Sequence, residues 1–176
     1  KVKLYLNAKV YNSDANYDEL FWDNSSYSAE KQKGDVCTIT RKTEFLHACA
    51  MEYSIEDEKG FIDIDPNIIS EPFLAENEFE LTIEANKTYQ IKKYVGITSS
   101  LDTNKEHVLS EAKKTAEIAR KKGYKEIVEE HQKKWNEIWE EADVVIHGDQ
   151  KAQQAIRFNI FQLYQTYTGD NKKLNI

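Results

Sequence analysis

Residue types that could do chemistry gather in an aromatic-rich loop, in small groups of acids and in a polar set near the C-terminal end. Residues 11–28 place Tyr17, Phe21, Trp22 and Tyr27 among Asn and Asp. Aromatic faces pack on the C–H surface of a pyranose ring while Asn and Asp bond its hydroxyls, so Tyr17 and Trp22 are candidate sugar contacts. The same aromatics can instead anchor a long connection to a sheet, and that is the preferred reading of the loop. Arg157, Asn159, Gln162 and Gln165 stand among Phe, Ile, Leu and Tyr. Buried polar groups need partners, so these residues tie helices together, the preferred reading, or border a pocket. On the second reading Arg157 and Asn159 are candidate substrate-binding residues.

Other constellations are weaker. Asp63 with Asp65, or Glu137 with Glu140 and Glu141, could supply an acid and base pair on spacing alone, but exposed acids of this kind are common. His47, His107, His131 and His147 are scattered without a second ligand at metal spacing, so no metal site is expected. His47 and His131 are expected to be satisfied, partly buried side chains. There is no phosphate-binding glycine loop, dinucleotide fingerprint or CxxC motif, and no context for a nucleophilic Ser or Cys. No catalytic residue is assigned.

These residues need a scaffold. Val2, Leu4, Leu6, Ala8 and Val10 alternate as on a half-buried strand, so a strand opens the chain. Strands are also expected over 36–41, over 44–55 with apolar residues on both faces, and over 61–65. Pro66 and Pro72 bracket an irregular connection, and 79–85 and 89–97 form a hairpin around Asn86 and Lys87. Five or more antiparallel strands in about a hundred residues, without a helix pattern among them, point to a β-sandwich. The sequons at Asn24 and Asn86 read as ordinary turns.

After Ser99 the period changes. Thr103 with Glu106 reads as a capping box, and Val108, Leu109, Ala112, Ala116 and Ala119 as a helix stripe that Gly123 stops. Ile127, His131, Trp135, Ile138, Trp139 and Ala142 line the next helix, and Asp143 closes it. Gly148 and Asp149 supply a turn and an N-cap for a last helix from about Gln150, apolar around much of its circumference. A helix of that kind needs cover on more than one side, so the chain is expected to be cut, with this helix opening a larger helical domain. The opening in mid-strand suggests upstream truncation as well.

The chain has 176 residues, 40% hydrophobic, enough for one sizeable core and an appendage. Its net charge of -7, with basic residues interleaved among acids, argues against nucleic acid or an anionic membrane as partner. No apolar run approaches the ~20 residues of a membrane span. Cys37 and Cys49, on neighbouring expected strands, are read as reduced buried thiols, with a bridge as the alternative.

The tryptophan pair, the run Ala142 to Asp149 (ADVVIHGD) and the RFNIFQLYQT segment from Arg157 resemble the approach to the catalytic barrel of glycoside hydrolase family 65. This is the family of kojibiose, maltose and trehalose phosphorylases. The stretch Val10 to Trp22, VYNSDANYDELFW, looks most like the kojibiose phosphorylase branch. The resemblance implies an antiparallel β-sandwich of galactose-mutarotase-like, super-sandwich type, followed by linker helices and the first helix of an (α/α)6 barrel. The corresponding divisions are 1–100, 101–147 and 148–176. The implied parent cleaves an α-linked glucose disaccharide, preferably kojibiose, with inorganic phosphate and inversion. Phosphate is then a co-substrate, and no cofactor is implied.

In that family the catalytic Glu and the phosphate contacts lie inside the barrel, beyond Ile176, so the chain alone is expected to be inactive. Many members carry His where this chain has Gln162. The disaccharide would bind through the barrel, and a cytoplasmic homodimer is expected. A non-catalytic carbohydrate-binding sandwich and a hydrolase of the same family are the rival readings.

Overall fold

The computed structural model describes residues 1–11 and 19–166. The strands are β1 (Val2–Asn7), β2 (Trp22–Glu30), β3 (Lys33–Thr40), β4 (Leu46–Asp57), β5 (Gly60–Phe61), β6 (Asn67–Glu71), β7 (Leu74–Phe79) and β8 (Tyr89–Ser99). A short 3-10 turn at Lys105–His107 leads into α1 (Val108–Ala142), and α2 spans Gln150–Thr166. Two compact units result, Lys1–Tyr124 and Lys125–Ile176. Helical geometry in α1 breaks at Gly123 (φ 80°, ψ 164°), a conformation that only glycine adopts easily, as the expected helix stop requires.

The first unit is a sandwich of two antiparallel sheets followed by helix. One sheet runs β2-β3-β4, with β5 and β8 both paired to β4; the other runs β1-β7-β6. Strand β4 explains the layering, because its side chains alternate between two partners. Ala48 and Ala50 face Val108, Ala112 and Ala116 of α1. Tyr53 and Ile55 face Phe79, Val2 and Leu4 of the smaller sheet. The expectation of a central strand with two apolar faces is met.

Two glycines let the layers approach. A Cβ on Gly34 would lie 3.0 Å from Ala75 Cβ and 3.0 Å from Met51 Cε, between the sheets. On Gly96 it would lie 2.1 Å from the Ala112 carbonyl oxygen, so the helix backbone rests directly on β8.

Asn77 is fully buried and joins several elements. Its Oδ1 accepts from the Tyr53 hydroxyl at 3.0 Å and from the Gln32 N–H at 3.1 Å, and its Nδ2 donates to the Lys33 carbonyl at 3.2 Å. The β2–β3 turn, with Gln32 at φ 64°, is thereby held to the opposite sheet.

Several expectations are corrected. The hairpin over 79–97 does not form, since β7 pairs with β1 and β6 while β8 pairs with β4. Alternation tells which face of a strand is buried, not which strand lies beside it, and here the Asn86 turn (φ 62°) connects two different sheets. The strand expected at 61–65 shrinks to Gly60–Phe61, and the segment between the two prolines contains β6. Pro66 and Pro72 lie just outside that edge strand, where no ladder N–H is lost.

The loop expected over 11–28 ends earlier, because β2 starts at Trp22. Asn24 therefore lies in a strand at a bulge, and its Oδ1 accepts the Phe73 N–H at 3.1 Å. The cap of the first helical turn falls at Asn104 without a side-chain bond, so the capping box is not made. Cys37 and Cys49 are both free thiols. They point to opposite faces of the sheet, Cys37 toward α1 and Cys49 toward Val36 and Ala75, which rules out a bridge.

Candidate functional site

The base of the aromatic loop is held by backbone pairing and by Trp22. Tyr11 bridges to Leu20, and the Phe21 N–H bonds the Val10 carbonyl at 2.9 Å. Trp22 is half-buried and donates its indole N–H to the Ala8 carbonyl at 2.6 Å. One indole face stacks on His47, with centroids 5.8 Å apart and planes 10° apart, and Phe21 meets it edge-on. With that face and its N–H engaged, Trp22 anchors the loop to the sandwich. Phe21, 53% exposed, presents more free aromatic surface there. Tyr17 lies outside the described residues. Burial lowers the pKa of His47, whose Nδ1 is 4.0 Å from Cys49 Sγ.

The second candidate pair lies in the unit Lys125–Ile176. Asp149 accepts the N–H groups of Lys151 and Ala152 at 3.0 Å each, the expected N-cap of α2, and Gly148 at φ 89° makes the turn before it. Arg157 grips Asp143 with two parallel bonds, Nε to Oδ1 at 2.8 Å and Nη2 to Oδ2, which hold the Asp143 carboxyl below its usual range. Such a fork fixes orientation as well as charge. Asn159 is exposed.

The tryptophan stripe is present in this unit. Trp135 packs on Phe161 at 4.8 Å and on Trp139 at 6.0 Å, and His131, though exposed, meets Trp135 edge-on. An open hollow of about 1130 Å³ is lined by Ile146, Asp149, Gln153, Arg157, Phe158 and Phe161, among others. Gln153 was not singled out from sequence. Its amide accepts the Ile146 N–H at 2.6 Å and donates to the Val144 carbonyl at 2.7 Å, bracing the extended segment before α2. Nothing in its spacing signals this, because the bonds depend on how that segment folds back.

The clustered acids are not arranged for proton transfer. Asp63 and Asp65 are exposed and share Lys31, and Glu137 pairs with Lys134 at 3.5 Å. Two acids that the sequence reading passed over are buried instead. Asp35 meets Lys113 at 2.9 Å, and Glu52 meets Lys33 at 3.0 Å and Arg120 at 3.2 Å. They line a groove of about 280 Å³ between sheet and α1. Each carries a cation supplied by the helix, so this chemistry fastens α1 to the sheet. Among the described residues, no group of three or more His, Cys, Asp or Glu could hold a metal ion, and no helix is long and apolar enough to cross a membrane.

Comparison with known proteins adds what the geometry does not carry. Residues 1–138 match the N-terminal domain of glycosyl hydrolase family 65. A maltose phosphorylase of Bacillus subtilis (strain 168) is 32% identical over 174 residues, 98% of this chain and 22% of its own length. An alpha,alpha-trehalose phosphorylase and a kojibiose phosphorylase, both of Thermoanaerobacter brockii, are 31% and 28% identical over 82% and 88% of the chain. The chain spans about a fifth of the length of these relatives, 18% and 20% for the last two. A solved structure described as "Putative kojibiose phosphorylase from human microbiome" superposes with a TM-score of 0.79 over 96% of this chain and 21% of its own, at 20% identity. The antiparallel sandwich followed by helices is therefore a fold shared with that structure.

Proposed function

The chain belongs to glycosyl hydrolase family 65, and from that premise we propose that it serves a longer protein that phosphorolyses an α-glucosyl disaccharide. The products are β-glucose 1-phosphate and glucose, with phosphate as co-substrate and no organic cofactor. The observation that carries this reading is the similarity, over 98% of this chain and 22% of the relative, to a maltose phosphorylase, with trehalose and kojibiose phosphorylases alongside. Kojibiose was the substrate expected from Val10 to Trp22, most of which lies outside the described residues. Maltose is the competing choice, supported by the higher identity of the Bacillus enzyme.

Within such a protein the sandwich supports a helical catalytic domain that begins near residue 148, and the helices of 101–147 link the two. Tyr17, Arg157 and Asn159 are kept as separate candidate sugar contacts of that protein, and Trp22 fixes the root of the aromatic loop. We read the protein as a cytoplasmic homodimer and the chain alone as inactive.

The test is glucose 1-phosphate release from kojibiose, nigerose, maltose and trehalose by the longer protein, with and without phosphate. Phosphate-dependent release from one of them is expected, and that sugar names the substrate. Phosphate-independent glucose release would make the protein a hydrolase. No turnover would leave a carbohydrate-binding sandwich as the better account.

A further inference from the structure

We draw no further inference here: the strongest candidate, the exposed apolar strip of Ile91, Val95 and Ile97 along β8, is an unpartnered sheet face, and nothing in the structure shows what covers it.

Discussion

Asn77 and His47 show how single side chains hold this sandwich. Replacing Asn77 with Ala removes three hydrogen bonds, taking the shared acceptor from the buried Tyr53 hydroxyl and the turn amide of Gln32 and the side-chain donor from the Lys33 carbonyl. Each buried group left unsatisfied costs about 1–3 kcal/mol, so Asn77→Ala should lower stability by about 3 kcal/mol, read as a fall in the urea midpoint at unchanged slope. Asn77 was not legible from sequence. An Asn in the run Leu74 to Phe79 looks like a solvent-facing strand residue until its partners from β4 and the β2–β3 turn are known.

His47 makes a prediction about pH. Burial depresses its folded pKa below the unfolded value of about 6.5, so the unfolded chain takes up the proton more readily. Its contribution to stability is complete above about pH 6.5 and is lost as pH falls through the folded pKa, by at most about 1.4 kcal/mol per pH unit. His47→Phe keeps a ring against Trp22 and cannot titrate. The difference in unfolding free energy between wild type and variant should change between pH 7 and pH 5, the wild type losing more. A constant difference across that range would show that His47 is not buried neutral.

Among the elements, α1 depends most on a position that carries no side chain. Gly96 pairs with Ala50 on β4, and together with Ala48, Ala112 and Ala116 it forms a surface of small residues on which the helix backbone rests. In Gly96→Ala the new methyl would meet the Ala112 carbonyl, a backbone atom that cannot move aside without shifting the helix. Overpacking of this kind costs about 1–3 kcal/mol, and we expect the upper end. Hydrogen exchange should quicken in the α1 turns around Ala112 and Ala116 before it does in β7. Equal protection in variant and wild type would show that the helix lies farther from β8.

The helix stripe, its stop at Gly123, the N-cap at Asp149 and the two-faced β4 were all legible, because each depends on local spacing. Strand partnership was not. The run of Phe79, Leu81 and Ile83 has the alternation of a strand, yet the ladder ends at Phe79 and Ile83 is 70% exposed. A two-sheet fold sends successive strands to different sheets, and the turn at Asn86 looks the same whether it makes a hairpin or a crossing.

For the whole molecule, the family was legible in residues that the structure shows to be architectural. Trp135 packs on Phe161 and on Trp139, Asp149 caps α2, and Asp143 holds Arg157. These contacts fix the entry into α2, so a resemblance in them carries the fold without naming a catalytic group. The sugar-contact candidates were harder to read. Trp22 has the residue type of a sugar platform, but its stacking on His47 and its bond to Ala8 come from strand register, which the sequence does not display.

The most direct test of the central claim is the anomeric configuration of the product. The longer protein that carries this chain would be incubated with its disaccharide and phosphate, and the sugar phosphate followed by proton NMR before mutarotation of the accompanying glucose is complete. Accumulation of β-glucose 1-phosphate is the result we predict, whereas α-glucose 1-phosphate, or free glucose without any sugar phosphate, would contradict it.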